Sequence, residues 1–161
     1  MESPYRSRKP YTDTGSSVLV ISCSSNAFYP FLREFLENAL GLAEGTFDVL
    51  LVPGGAQFLL LSDYLPKFAW AGRKWISFLV ERHHLTRVVV VAHDECAWYA
   101  EERLLPSFLM RFGHDTLSAA ERQKRDLGEI VASLRGLLPG TSVEAWFAEK
   151  GADGILTFVR S

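Results

Sequence analysis

The stretch from Thr86 to Tyr99 reads T-R-V-V-V-V-A-H-D-E-C-A-W-Y, and it decides the fold. Its apolar run, Val88 to Ala92, is short, unbroken and rich in β-branched residues, which predicts a strand buried on both faces of a parallel sheet. The run stops at His93, and Cys96 follows three residues later. Because ligands bind outside the carboxyl ends of strands in open α/β sheets, these two residues mark the first place to look for function.

The rest of the chain alternates between predicted strands and helices. Strands are predicted over Val18 to Ile21 and Phe47 to Val52, before the Val88 strand. Apolar residues at helical spacing predict helices over 28–40, 68–83, 104–112 and 127–138. Two closing strands, 143–149 and 155–159, flank a glycine-rich turn and predict a hairpin. The order predicts an α/β fold with a mainly parallel central sheet flanked by helices and closing strands at one edge.

Local signals refine some of these boundaries. Ser118 and Glu121 match a capping box before the last helix. The first helix is predicted to be capped by Ser24, Ser25 or Asn26. The apolar segment Leu59 to Leu65 fits either a helix or a strand.

Length and charge indicate a single domain in aqueous solution. The chain has 161 residues, which is enough to bury a sizeable core. Residues 1–17 are polar and basic and are predicted to form a flexible N-terminal arm, and residues 18–161 are predicted to form a single α/β domain. A net charge of -2 gives no nucleic-acid footprint. No apolar stretch approaches ~18 residues and the start lacks an apolar signal region, so we expect a cytoplasmic protein.

The two cysteines fall at comparable places. Cys23 ends the first buried strand, and His93 with Cys96 ends the third. Neighbouring parallel strands would deliver these side chains to one sheet edge. Two thiolates and an imidazole suit Zn²⁺, with a fourth position left for water or substrate, which is the catalytic pattern. Alternatives at this point are that both cysteines are buried packing residues, or that Cys23 is a reactive thiol near a helix N-terminus in a metal-free domain.

These motifs resemble those of the β-class carbonic anhydrases. Members of that family carry C-x-D-x-R after the first strand, an apolar strand leading into an R-N-A-G-like turn, and H-x-x-C after another apolar strand. The matching segments here are V-L-V-I-S-C, ending at Cys23, F-D-V-L-L-V-P-G-G-A from Phe47, and V-V-V-V-A-H-D-E-C from Val88. The closing V-E-A-W-F-A-E-K-G-A-D-G-I-L also looks like the family's late strand, turn and strand. The resemblance spans roughly Val18 to Val159.

The resemblance implies a zinc-dependent lyase. Cys23, His93 and Cys96 would hold Zn²⁺, and zinc-bound hydroxide would attack CO₂, or a related small electrophile, to give bicarbonate. Family members commonly form dimers or multiples of dimers, so the resemblance also implies a homodimer or higher homo-oligomer, with a small-molecule substrate and no nucleic-acid or membrane partner. The alternative is a non-catalytic β-carbonic-anhydrase-like domain with structural zinc or a partner-binding role.

Three positions depart from the family pattern. The family aspartate falls on Ser25 and the family arginine on Ala27, and Ala97 follows Cys96 where the family usually has glycine. The Asp-Arg dyad is thought to accept a hydrogen bond from the zinc-bound hydroxide, and a serine hydroxyl is an uncharged substitute. The departures predict low hydratase activity or a different small substrate, with Ser25 as a weak catalytic residue.

Each of the other residues near the motifs has two possible roles. Asp94 and Glu95 could assist proton transfer or could be solvated turn residues. His114 could shuttle protons or be an exposed loop histidine, and Trp98 is expected to pack around the site or at a subunit contact. Motifs of other catalytic classes are missing: the sequence has no G-x-S-x-G, no P-loop, no G-x-G-x-x-G and no zinc-deaminase signature.

Overall fold

A five-stranded sheet forms the centre of the computed structural model, which describes residues 4–12, 15–100 and 117–161. The strands are β1 (Val18–Cys23), β2 (Asp48–Val52), β3 (Arg87–His93), β4 (Ser142–Lys150) and β5 (Leu156–Arg160). Their order across the sheet is β2-β1-β3-β4-β5. The first four are parallel, and β5 runs antiparallel to β4 at one edge. This confirms the predicted mainly parallel sheet with closing strands at one edge.

Helices connect these strands. They are α1 (Tyr29–Asn38), a 3-10 helix (Gly55–Leu60), α2 (Pro66–His83), the short α3 (Ala97–Ala100) and α4 (Ala119–Leu137). The capping box at Ser118 is present, with Glu121 closing it from the third helical position. The helix predicted over Leu104 to Phe112, and His114, lie outside the described residues. No helix in the described segments is both long enough and apolar enough to cross a membrane.

The start of α1 corrects one prediction. The N-cap is Phe28, which makes no side-chain cap, rather than Ser24, Ser25 or Asn26. The reason is Pro30, which occupies the first turn, where a missing N–H costs nothing, and so fixes where the helix begins. Ser25 lies one turn earlier, and its Oγ accepts a 3.4 Å hydrogen bond from the backbone N–H of Phe28.

Strands β1 and β3 bury both of their faces, as the apolar run at Val88 predicted. One face contributes Leu19, Ile21, Val88 and Val90 to a core with residues of α2 and α4. The other face contributes Val18, Val20, Val89 and Val91 to a core with Phe28, Leu32, Phe35 and Leu36. Helices therefore cover the sheet on both sides, and the carboxyl ends of β1 and β3 lie next to each other at one edge.

The packing of α2 leads to a first test with a matched control. A Cβ atom at Gly72 would overlap the ring of Phe58 in the 3-10 helix, whereas a Cβ at Gly128 in α4 would meet nothing within 4 Å. Gly72→Ala should therefore lower the free energy of unfolding by ~1–3 kcal/mol through overpacking. Gly128→Ala should raise it by ~0.5–1 kcal/mol, because alanine favours a helix interior.

Urea denaturation of both variants measures these changes. A Gly72→Ala protein as stable as the unsubstituted protein would contradict the close packing of α2 on the 3-10 helix.

Candidate metal centre

Three side chains meet at the carboxyl edge of the sheet. Cys23 is the last residue of β1 and His93 the last of β3, and these strands are parallel neighbours in register at Ser22 and Val91. Cys96 lies in the turn that follows β3, just before α3. The ligand atoms of Cys23, His93 and Cys96 all lie within 4.8 Å of one another, and all three residues are buried. The Sγ atoms of the two cysteines are 3.8 Å apart.

A tight turn directs His93 and Cys96 toward the same point. The backbone N–H of Asp94 donates to the carbonyl of Ala148 at 2.9 Å, which ties the turn to β4. Glu95 adopts a left-handed backbone conformation with φ 55°, which is uncommon for a residue with a side chain. Its N–H donates to Asp94 Oδ1 at 3.0 Å, and its carboxylate pairs with Lys150 Nζ at 2.8 Å.

The imidazole of His93 is held in one orientation. The Phe28 ring stacks on it, with ring centroids 4.3 Å apart and an interplanar angle of 18°. His93 Nδ1 lies 2.6 Å from the carbonyl oxygen of Asp94. Because a carbonyl can only accept, we assign the proton to Nδ1, which leaves Nε2 with a free lone pair. His93 Nε2 is buried and has no hydrogen-bond partner.

The two thiols have opposite protonation preferences. A hydrogen bond from Cys96 holds the pKa of Cys23 well below its usual range, in spite of burial, and the neighbouring His93 side chain and the backbone at Gly54 and Ser25 lower this pKa further. The same hydrogen bond, together with burial and the charge on Cys23, raises the pKa of Cys96. Without a metal, the pair therefore shares one proton, which is on Cys96 and points to the Cys23 thiolate.

The residues fit a metal ion on their own chemistry. Two sulfur atoms and one imidazole nitrogen form a donor set suited to Zn²⁺. A buried nitrogen without a partner ordinarily costs free energy, and a metal ion would satisfy it. The second ring nitrogen already donates to a carbonyl, as metal-ligating histidines usually do.

A cleft of about 470 Å³ opens above Cys23. Its lining includes Cys23, Ser25, Pro53, Gly54, Glu95 and Trp98. Gly54 has φ 75°, and a Cβ atom there would overlap the Trp98 ring, so only glycine lets the indole lie against this turn. In the sequence this part of the cleft is marked by Pro53, Gly54 and Gly55, a pattern that an ordinary turn also explains.

Gln57 was missed by the sequence analysis. It is buried at the start of the 3-10 helix, and its Oε1 accepts a hydrogen bond from Trp98 Nε1. This contact joins the segment after β2 to the segment after β3. The hydrogen bond therefore holds the Trp98 indole in a fixed position beside Cys23, His93 and Cys96.

A second, smaller cleft of about 230 Å³ borders His93. Its lining includes Ser25, Ala27, Phe28, His93, Glu95 and Lys150. Ser25 and Glu95 border both clefts, whereas Ala27 borders only this one. Lys150 was also missed, although it ends β4, the strand next to β3, and its position could have been inferred from the strand order.

Comparison of the sequence with family profiles and with curated proteins finds no match. Comparison with solved structures finds several matches. A carbonic anhydrase from Streptococcus mutans aligns with a TM-score of 0.58 at 17% identity, over 94% of this chain and 87% of that one. A β-carbonic anhydrase from Trichomonas vaginalis aligns at 0.54 and 15% identity, over 96% and 88%. The chain has a β-carbonic-anhydrase-like fold.

A carbonic anhydrase from Glaciozyma antarctica gives the same result, with a TM-score of 0.54 at 21% identity over 89% of this chain and 82% of that one. At these identities the similarity establishes the fold and not the activity. The β-carbonic-anhydrase-like fold was predicted from the motifs around Cys23, His93 and Cys96, and this prediction is confirmed. What the site does depends on the residues that this chain has there.

Proposed function

We propose that this chain is a zinc protein that hydrates CO₂ to bicarbonate, or acts on a related small electrophile, at a site formed by Cys23, His93 and Cys96. One observation carries the proposal: His93 Nε2, buried and without a hydrogen-bond partner, lies within 4.8 Å of two buried thiols. Nothing else among the described residues brings together three metal-ligating side chains in this way.

Three protein ligands would leave one coordination position for water or substrate. The chemistry that bound zinc supplies in such a site is Lewis-acid activation of water near neutral pH. The chain's own contribution is to hold the ligands and to shape the approach. Phe28 and the Asp94 carbonyl orient the imidazole, while Trp98 and Pro53 form an apolar wall of the cleft above Cys23.

Ser25 is the residue that we propose to contact the reacting water. Its hydroxyl borders both clefts and accepts from the Phe28 N–H, so its own proton remains available to donate. A hydroxyl cannot take up a proton at neutral pH as a carboxylate can. We therefore expect slow hydration of CO₂, with Ser25 a weak catalytic residue.

Stopped-flow measurement of CO₂ hydration tests this function. Protein loaded with one zinc per chain should accelerate hydration above buffer, and the His93→Ala variant should not. A zinc-replete protein that is no faster than buffer would refute CO₂ hydration. Protein expressed with zinc supplied that contains none by elemental analysis would refute the metal site itself.

Zinc uptake should release about one proton per chain at neutral pH. Cys23, with its pKa lowered, is already a thiolate in the metal-free protein, whereas Cys96, with its pKa raised, must lose its proton to bind. The zinc affinity should therefore rise about tenfold per pH unit between about pH 7 and 8.

Calorimetric titration in buffers of different ionisation enthalpy counts the protons released. A release of about two protons would mean that Cys23 is protonated in the metal-free protein, which would contradict the lowered pKa of its thiol.

The assembly and location that we propose follow the family resemblance. We expect a homodimer or higher homo-oligomer in the cytoplasm, with a small-molecule substrate and with residues 1–17 as an arm outside the domain of residues 18–161. The net charge of -2 supports the absence of a nucleic-acid partner.

A further inference from the structure

Lys150 lies beside the candidate metal centre because of the register between β3 and β4. His93 pairs with Ala148 across these parallel strands, and Lys150 comes two residues after Ala148. Since alternate residues of a strand point to the same face of a sheet, Lys150 lies on the same face as His93 and just beyond the end of β3. Its side chain consequently borders the cleft of about 230 Å³ that His93 and Ser25 also line.

Lys150 supplies positive charge to this cleft. Among the described residues that line the two clefts, it is the one lysine or arginine, and Ala27 occupies the position of the family arginine. Phe28, Phe31 and Leu156 give the same cleft an apolar side. A cation beside an apolar wall, where water is partly excluded, attracts an anion more strongly than a cation in open solvent does.

The carboxylate that Lys150 contacts in this structure is a weakly held partner. Lys150 Nζ lies 2.8 Å from Glu95 Oε2, and the two side chains are 42% and 69% exposed. Ion pairs with this much exposure stabilise a fold very little, because water screens the charges. Another anion that enters the cleft can therefore replace the Glu95 carboxylate at Lys150.

The backbone at Glu95 indicates that stability alone does not explain a glutamate at this position. Its φ of 55° is a left-handed conformation that strains a residue with a side chain and that glycine adopts freely. This strain destabilises the fold by more than an exposed ion pair stabilises it. Residues in such conformations cluster at active sites and ligand sites, and Glu95 borders both clefts here.

We propose that Lys150 binds the anionic product beside His93, and that the product displaces Glu95 from Lys150. This inference rests on the proposed function, because hydration of CO₂ converts a neutral molecule and water into bicarbonate and a proton. Bicarbonate presents charged oxygens that accept hydrogen bonds from an ammonium group, whereas CO₂ carries no charge. Lys150 therefore makes the site distinguish the product from the substrate.

Two-dimensional ¹H–¹⁵N NMR of the full chain measures this binding. The protein is used as purified, with its zinc content determined, and bicarbonate replaces chloride at constant pH and ionic strength. Amides around the smaller cleft of wild-type protein should show saturable shifts. Lys150→Met should raise the dissociation constant for bicarbonate about tenfold, because a hydrogen bond between charged groups is lost. Lys150→Arg should restore most of the affinity, since a guanidinium also binds such anions.

Glu95→Gln should change the affinity in the opposite direction. The variant removes the competing charge and keeps the size of the side chain, so bicarbonate should bind roughly threefold more tightly. If the ion pair served only to hold the turn in place, both Glu95→Gln and Lys150→Met would leave bicarbonate binding unchanged or weaken it. The same NMR spectra establish that each variant is folded.

Lys124→Met is the matched control for Lys150→Met. Lys124 also forms an exposed ion pair, with its Nζ 2.6 Å from Glu149 Oε1 and 46% of its side chain exposed. It lines neither cleft, and its replacement changes the net charge by the same amount. Lys124→Met should therefore bind bicarbonate like wild-type protein.

Four results would overturn the proposal: no saturable shifts in wild-type protein, unchanged affinity in Lys150→Met, an equal loss in Lys124→Met, or weaker binding in Glu95→Gln. Failure of the proposed function gives a different result. A chain that binds bicarbonate through Lys150 but does not accelerate CO₂ hydration in stopped-flow assays would keep this anion site and lose the reaction. A chain that hydrates CO₂, with the same bicarbonate affinity in Lys150→Met as in wild type, would keep the reaction and lose this role of Lys150.

Discussion

His93→Ala should abolish stable zinc binding, with a loss of affinity of more than ~100-fold. The variant removes the only nitrogen donor of the cluster and leaves two thiols that share a proton. Cys23→Ser should have a comparable effect, because a neutral hydroxyl is a much poorer ligand than a thiolate. Elemental analysis of purified protein, followed by competition with a chromophoric chelator, measures the loss.

His83→Ala is the matched control for this substitution. His83 ends α2, its side chain is partly exposed, and its ring pairs with Asp48 at the amino end of β2, whereas the cluster lies at the carboxyl ends of the strands. This variant should retain about one zinc per chain. Zinc bound equally well by His93→Ala and wild-type protein would show that the metal, if present, lies elsewhere.

The same variants should differ in thermal stability when zinc is added. A ligand that binds only the folded state stabilises it by about 4 kcal/mol at a free concentration 1,000 times its dissociation constant. Added zinc should therefore raise the Tm of wild-type protein and of His83→Ala, and should leave the Tm of His93→Ala unchanged. This readout does not depend on any catalytic activity.

Ser25→Asp combined with Ala27→Arg should increase the rate of CO₂ hydration at least ~10-fold. A positioned carboxylate contributes typically ~10²–10⁴-fold as a general base, and Ser25 already borders both clefts next to the cluster. The arginine at position 27 would lie on the wall of the smaller cleft, where it could hold the carboxylate in its charged form. Stopped-flow assays of zinc-replete protein compare the variant with wild type.

Ser25→Asn with Ala27→Met is the control for this gain. These side chains have nearly the same volumes as aspartate and arginine but carry no charge, so they change the shape of the cleft without supplying a base. Their rate should stay at the wild-type level. If the charged and uncharged variants are equally active, the missing dyad is not what limits hydration.

The sequence predicted the fold because its signals were local. An unbroken run of β-branched residues at Val88 is hard to place anywhere except in the middle of a sheet, and the alternation of strands and helices leaves few topologies. The clustering of Cys23 and His93 followed from the same reasoning, since the ends of neighbouring parallel strands meet at one edge. Cys96 could be predicted to join the cluster because only two residues separate it from His93.

The residues around the cluster are brought together by tertiary packing, and contacts of that kind leave no periodic pattern in the sequence. Phe28 was assigned to a helix core, yet its ring also stacks on His93. Gln57 and Trp98 are far apart in the chain and meet only because Gly54 leaves room for the indole. The start of α1 was predicted too early because capping serines were weighed above Pro30, which imposes a stronger conformational constraint.

X-ray absorption at the zinc edge tests the central claim most directly. For wild-type protein loaded with one zinc per chain, we predict two sulfur neighbours at ~2.3 Å, one imidazole nitrogen at ~2.0 Å and one further oxygen. The His93→Ala variant should lack the imidazole scattering if it retains any zinc. A wild-type spectrum with only oxygen and nitrogen neighbours would contradict a site formed by Cys23, His93 and Cys96.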